Sequence, residues 1–89
     1  MITVKIKDKL NESLEYNGAA TDFLDELNEY PDDEIKVDFT GIIFMSRSFA
    51  QEYYGKKSIS GKDIEDINVP EDVQLMLNIA ENNLKRRLG

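Results

Sequence analysis

The residues best suited to chemistry are two serines and an arginine between an apolar run and a helix. They are Ser46, Arg47 and Ser48, and Gln51 follows Ser48 at capping-box spacing, which predicts that Ser48 caps the helix. The unpaired N–H groups of a helix start carry partial positive charge, so an anion or a phosphate could bind there beside Arg47. The alternative for Ser48 is a purely structural cap, whereas Ser46 has no evident structural role.

The amino-acid composition excludes the commonest kinds of catalytic site. The chain contains no histidine and no cysteine, so a serine nucleophile would lack its usual base, and imidazole and thiolate metal ligands are absent. Carboxylates are abundant, but their spacing singles out no pair. The acidic run 32–34 also lacks the alternate spacing and the glycine of a calcium loop. We therefore expect a protein that is not an enzyme and that binds neither a metal nor a cofactor.

Charge and hydropathy predict the location of the protein and the classes of partner that it can bind. Eleven basic and eighteen acidic residues give a net charge of −7, which repels a phosphate backbone, so nucleic acid is not an expected partner. No apolar run approaches the roughly 18 residues of a membrane span, and the first residues lack a signal-peptide pattern. The sequence therefore predicts a cytoplasmic protein without membrane contact. Because it has no repeat or linker, residues 1–89 are expected to form one domain.

Strands are predicted on both sides of the candidate segment. Alternating apolar and polar residues predict a first strand at 2–6 and a central strand at 35–39. The segment 8–16 reads as a connection with room for a short strand. The apolar run 42–45 is expected in the core. Near Ser60 and Ile64 the spacing fits a short helical turn as well as a further strand around 66–69.

Helices are predicted where apolar residues recur at helical spacing. They lie near 18–29 with Asn17 as the cap, near 48–56 with Gly55-Lys56-Lys57 closing the helix, and near 71–88 with an apolar stripe from Val73 to Leu88. Strands that alternate with helices predict an α/β fold, a small mixed sheet of three to four strands with helices packed on it. The side chains expected to be largely buried are Phe23, Phe39, Phe44 and Leu77, and those expected to face inward on the middle helix are Phe49, Ala50 and Tyr53.

The stretch from 38 to 52 carries a longer pattern. After a strand it reads Asp38-Phe39-Thr40-Gly41, then an apolar pair, and then Ser46-Arg47-Ser48-Phe49-Ala50-Gln51-Glu52 at a helix start. This pattern resembles the STAS-like domains, compact relatives of the domain named after sulfate transporters and anti-sigma-factor antagonists. The resemblance implies a non-enzymatic regulatory domain. Its partner protein, resembling a histidine-kinase-type ATPase, would bind the helix that begins at Ser46–Ser48, with Arg47 and Glu52 as polar contacts.

The resemblance is incomplete at the position that anti-sigma-factor antagonists phosphorylate. Their local pattern is Phe-Met-Asp-Ser-Ser-Gly, and aligned without gaps on 44–49 it places Ser46 on the aspartate, Arg47 on the phosphoacceptor and Ser48 on the second serine. Phe49 replaces the glycine. Arginine cannot replace the phosphoacceptor serine, so the phosphorylation switch is not predicted and the STAS-like branch fits better. The expected partner-binding residues are Ser46, Arg47, Ser48, Gln51 and Glu52.

Two other kinds of interaction protein remain open. An acidic decoy or inhibitor would bind a basic partner through carboxylates of the first long helix and the turn after it, although such charge also serves solubility alone. These carboxylates are Asp22, Asp25, Glu26, Glu29, Asp32 and Asp33. A structural subunit held by an exposed sheet edge is the third possibility. Binding through an acidic face should weaken steeply with salt, whereas a mixed apolar surface should change little.

Overall fold

Strands and helices alternate along residues 1–88, the part of the chain that the computed structural model describes, with side chains described for residues 1–86. In chain order the elements are β1 (Ile2–Lys5), α1 (Ile6–Lys9), β2 (Ser13–Leu14), α2 (Asn17–Glu29), β3 (Glu34–Asp38), β4 (Phe44–Met45), α3 (Arg47–Ser58), β5 (Asp63–Ile67) and α4 (Glu71–Leu88). This order confirms the predicted α/β class. The short helix α1 was not predicted, because four residues are too few to show a period.

The main sheet has three strands in the order β1-β3-β5, with β3 in the centre as predicted. Both pairings are parallel, and β2 and β4 form a separate parallel pair, so the prediction of a mixed sheet was wrong for the described strands. The physical reason lies in the connections. The connection from β1 to β3 contains α2 and that from β3 to β5 contains α3, and each returns the chain to the same end of the sheet, which makes the next strand parallel.

One face of the main sheet packs against the core, and the other faces solvent. Val4, Ile35, Val37 and Ile64 are buried, and the paired registers place Ile35 beside Ile64 and Val4 beside Val37. The row between them, Thr3-Lys36-Glu65, points the other way and is polar. Parallel sheets are usually covered on both faces, so the open face depends on polar side chains for its contact with water.

The helix boundaries agree with the predictions more closely than the caps do. Helix α2 begins at Asn17 itself, and its N-cap is Tyr16, whose side chain makes no capping hydrogen bond, so the assignment of Asn17 as cap was wrong by one residue. Helix α3 ends at Ser58, one residue after the predicted closing segment Gly55-Lys56-Lys57. The extra strand, predicted around 66–69, forms as β5 and begins three residues earlier, at Asp63.

Helix α4 spans the predicted range. The stripe predicted along it is buried at Val73, Leu77 and Ala80, while the side chain of Leu88 lies outside the described residues. No helix within residues 1–88 combines the length and the apolar character that crossing a lipid bilayer requires.

The centre of the core is an aromatic cluster made of Phe23, Phe39, Phe49 and Tyr53. The Tyr53 ring lies 5.9 Å from that of Phe39 in an edge-to-face arrangement, and its centroid is 6.1 Å from the stacked ring of Phe49. The Phe23 ring is 6.5 Å away. All four side chains are buried, as predicted for Phe23 and Phe39 and for the inward face of α3. The cluster therefore connects α2, α3 and the end of β3.

The apolar run 42–45 is only half in the core. Ile42 and Met45 are buried, but Ile43 is 67% exposed and Phe44 is 47% exposed, so the prediction that Phe44 is largely buried was wrong. On β4 consecutive side chains point to opposite faces, and with Met45 turned inward Phe44 must turn outward. A continuous apolar run does not show which of its residues face out.

Candidate functional site

Ser46 is the N-cap of α3 and is held by two backbone segments. Its Oγ accepts a hydrogen bond of 3.0 Å from the backbone N–H of Phe49 and donates one of 2.8 Å to the carbonyl oxygen of Glu15. The backbone N–H of Ser46 also donates to the carbonyl oxygen of Leu14 at 2.8 Å. The prediction that Ser48 is the cap was therefore wrong, and Ser46 has the structural role that the sequence did not reveal.

The remaining predicted site residues divide between solvent and a helix contact. Arg47, Ser48 and Gln51 are exposed on the first turns of α3. Glu52 is half-buried, and its Oε2 accepts a hydrogen bond of 3.0 Å from the Thr21 hydroxyl on α2. Glu52 therefore joins α3 to α2 and is not a freely projecting contact. Arg47 and Ser48 are the polar groups that the start of α3 presents outward.

The Asp38-Phe39-Thr40-Gly41 turn leads the chain from β3 towards β4. Asp38 Oδ1 accepts hydrogen bonds from the Thr40 hydroxyl at 2.6 Å, from the Thr40 backbone N–H at 2.9 Å and from the Asn68 side chain at 3.2 Å. The Thr40 hydroxyl, and then its N–H, hold the pKa of Asp38 below its ordinary value. Gly41 has a φ of 84°, and a Cβ there would lie 2.9 Å from Cδ of Lys7. The conformation of this turn is therefore a structural requirement of the chain.

Exposed apolar side chains lie in the two segments that flank the cap. The backbone N–H of Ile43 donates to the carbonyl oxygen of Glu12 at 2.8 Å, so the segments 12–16 and 43–46 run side by side. Together they carry Tyr16, Ile43 and Phe44, which are exposed and which we call the apolar rim. The sequence did not reveal this feature, because the apolar run 42–45 predicted that Phe44 is buried and residues 8–16 predicted a connection with room for a short strand.

A shallow cavity of about 320 Å³ opens between the segment 10–16 and the starts of α2 and α3. Its walls include the apolar side chains of Leu10, Leu14, Ala19 and Phe49, with Tyr16 at its edge. Ser13 and Glu15, joined by a 3.0 Å hydrogen bond, add polar groups. The cavity and the apolar rim share Tyr16. The start of α3 is therefore bordered by apolar surface and by a hollow with room for an apolar side chain.

The back of α3 is anchored to the edge strand β5 by a polar contact. The buried Tyr53 hydroxyl donates to Asp66 Oδ1 at 2.6 Å, and Lys57 Nζ lies 2.9 Å from Asp66 Oδ2. Burial, and then the nearby Asp66 carboxylate, raise the pKa of Tyr53 well above its ordinary value, so the phenol stays protonated. This contact fixes the direction of α3 and with it the position of its exposed start.

The acidic face on α2 and the turn after it, which an acidic decoy would use, has carboxylates that are not all free. Glu26 Oε1 pairs with Lys9 at 3.2 Å, and Asp32 Oδ2 pairs with the N-terminal amino group at 3.2 Å. Four of the six remain exposed, namely Asp22, Asp25, Glu29 and Asp33. Across residues 1–88 no group of three or more acidic side chains is arranged to hold a metal ion.

Comparisons of the chain with protein-family models, with curated proteins and with solved structures found no match.

Proposed function

We propose that this chain is a non-enzymatic regulatory domain that binds a partner protein through the start of α3. The observation that carries the proposal is the apolar rim of Tyr16, Ile43 and Phe44 in the two segments that flank the Ser46 cap. Apolar side chains exposed together on a monomer mark an interaction surface more often than single exposed ones do. Here they flank an exposed arginine, and aromatic residues and arginine are enriched at protein interfaces.

The shape of the surface supports binding of a protein side chain. The cavity beside Tyr16 is walled by apolar groups, which suits an aliphatic or aromatic anchor from the partner. Arg47 is exposed on the first turn of α3, two residues before Phe49, which lines the cavity. It would pair with a partner carboxylate, since a guanidinium binds carboxylates in a fixed geometry. Ser46 is occupied by its hydrogen bonds to Phe49 and Glu15, so it supports the surface without contacting the partner.

The resemblance to STAS-like domains adds a partner class to this proposal. It implies a histidine-kinase-type ATPase bound at the same helix start. The sequence favours binding over catalysis, because a chain without histidine and cysteine lacks the commonest general base and the commonest reactive nucleophile.

The proposal is tested by affinity capture followed by binding measurements on the captured protein. The bait is the wild-type chain, with Phe44→Ala and Arg47→Glu as site variants and Asp25→Lys as a matched control on the acidic face of α2. All three positions are exposed, so their thermal melts should stay close to wild type. We expect both site variants to weaken binding about tenfold, which corresponds to ~1.4 kcal/mol, and the control to bind as wild type does.

The opposite pattern would support the acidic decoy. In that case Asp25→Lys abolishes binding, both site variants bind normally, and affinity falls steeply between low and high salt. Mass spectrometry of the captured protein then shows whether it is an ATPase of the implied class.

A further inference from the structure

We propose that the outward face of α4 binds a second copy of this chain as an antiparallel, two-fold-symmetric helix pair. This surface is distinct from the start of α3. It consists of side chains spaced alternately by three and four residues, which places them in one line along the helix. We call this line the outer stripe: Asp72, Leu75, Ile79, Asn82 and Arg86, all of them exposed.

The middle of the outer stripe is apolar and free of charge. Leu75 is 57% exposed and Ile79 is 45% exposed, and they lie one helical turn apart. Residues 73–80 contain no charged side chain, although 33% of the whole chain is charged. The next charge, Glu81, lies against Lys85 and Tyr54 on another side of the helix, and their hydrogen bonds lower its pKa. A helix face that meets only water usually carries charges, so this pattern indicates a contact.

The opposite charges at the two ends of α4 indicate that a second copy of the chain binds the outer stripe. Glu71 and Asp72 begin α4, and Lys85 and Arg86 lie near its other end. Asp72 and Arg86 are about 21 Å apart along the axis, at 1.5 Å per residue. An antiparallel second copy would place the acidic end of each helix against the basic end of the other. Ile79 lies midway between residues 72 and 86, so the two copies of Ile79 would meet on the symmetry axis.

Charge also favours α4 over α2 for self-association. Two copies with a net charge of −7 repel each other, but α4 itself carries no net charge, because its three acidic residues (Glu71, Asp72, Glu81) balance its three basic residues (Lys85, Arg86, Arg87). Pairing through α2 would instead bring the acidic side chains Asp22, Asp25 and Glu29 of the two copies close together, where they repel each other. A parallel α4 pair would oppose like charges at both ends and align the two helix dipoles.

The size of the contact predicts a weak dimer. Helix α4 has 18 residues and is thus about 27 Å long. A single helix pair buries less than the roughly 800 Å² per partner of a standard stable interface. We therefore expect a Kd between about 10 µM and about 1 mM, with the dimer populated only at high concentration.

Sedimentation equilibrium of the purified chain, from about 10 µM to about 1 mM, tests the proposal directly. Wild type should follow a monomer–dimer equilibrium. Ile79→Asp, which places two carboxylates on the axis, should raise Kd at least tenfold. Thr3→Asp on the open sheet face adds the same charge to an exposed position and should leave Kd within twofold. A wild type that stays monomeric throughout this range, or a control that dissociates as Ile79→Asp does, overturns the proposal.

A charge exchange tests the antiparallel geometry. Asp72→Arg alone and Arg86→Asp alone should each dissociate the dimer, because each opposes like charges at both ends. An equimolar mixture of the two variants should recover dimers, since each variant then meets its complement twice. Melting curves establish that both variants are folded. If the mixture stays monomeric while wild type dimerises, the antiparallel α4 contact is wrong. No partner protein enters these measurements, so their outcome is independent of the binding site at α3.

Discussion

Phe39 and Phe44 are five residues apart and lie in opposite surroundings. Phe39 belongs to the aromatic cluster, where its ring meets the edge of Tyr53, whereas Phe44 belongs to the apolar rim and is half-exposed. The cluster joins three elements and should carry a large share of the folding free energy. The rim contributes little to the monomer and leaves its apolar area available to a partner. Mutations in the aromatic cluster should therefore reduce stability, whereas mutations in the apolar rim should reduce partner binding.

The largest expected effect is on the aromatic cluster. Phe39→Ala removes a fully buried ring and leaves a cavity, so we expect a loss of ~3–5 kcal/mol in the free energy of unfolding. The matched change Phe44→Ala should cost less than about 1 kcal/mol, because water already contacts that ring. Chemical denaturation of both variants measures the difference. Equal losses would show that the rim is part of the core and would remove the basis for the proposed surface.

A smaller effect distinguishes the two serines at the start of α3. Ser46→Ala deletes the capping hydrogen bond to Phe49 and the bond to the Glu15 carbonyl, and we expect it to cost ~1–2 kcal/mol. Ser48→Ala alters an exposed first-turn residue and should change stability by less than about 0.5 kcal/mol. Thermal melts of the two serine variants measure this difference in stability. A larger loss of stability for Ser48→Ala than for Ser46→Ala would show that Ser48, and not Ser46, caps the helix.

The smallest effect depends on pH and concerns the turn between the two regions. The hydrogen bonds from Thr40 hold the pKa of Asp38 below 3.8, its ordinary value. The carboxylate therefore stabilises the folded chain above pH 3.8, and this contribution is lost as the pH falls through the lower folded-state pKa. Wild type should be more stable than Asp38→Asn near pH 5 and should lose that advantage towards pH 2.

Urea denaturation at several pH values measures this difference. Asp63→Asn removes one charge from an exposed carboxylate at the far end of the sheet and serves as the matched control. A stability difference between wild type and Asp38→Asn that stays constant with pH would contradict the proposed role of Asp38.

Much of the fold could be predicted from periodicity. The apolar spacing of Phe23, Leu24 and Leu27 identified the inward face of α2, and that of Val73, Leu77 and Ala80 did the same for α4. The alternation in 35–39 identified the central strand. These predictions succeeded because burial of one face of a helix or strand imposes a local period on the sequence.

The candidate site could be predicted only in part. The sequence predicted a change from strand to helix near residues 46–48, and the structure has β4 end at Met45 and α3 begin at Arg47. It misassigned the cap, because the Ser46 hydroxyl is held by Glu15, a residue 31 positions earlier. It also left Glu52 as an outward contact, although that side chain bonds to Thr21 on α2. Contacts between distant segments leave no local period.

By itself, the sequence determined the α/β class, the extent of the long helices, the net charge and the absence of histidine and cysteine. Only the tertiary structure decided that the strands of the main sheet are parallel, that Phe44 faces outward, and that Ser46 joins β4 and α3 to the segment before α2. The physical reason is that local patterns record whether a residue prefers burial, whereas the packing of distant segments decides whether a buried position is available to it.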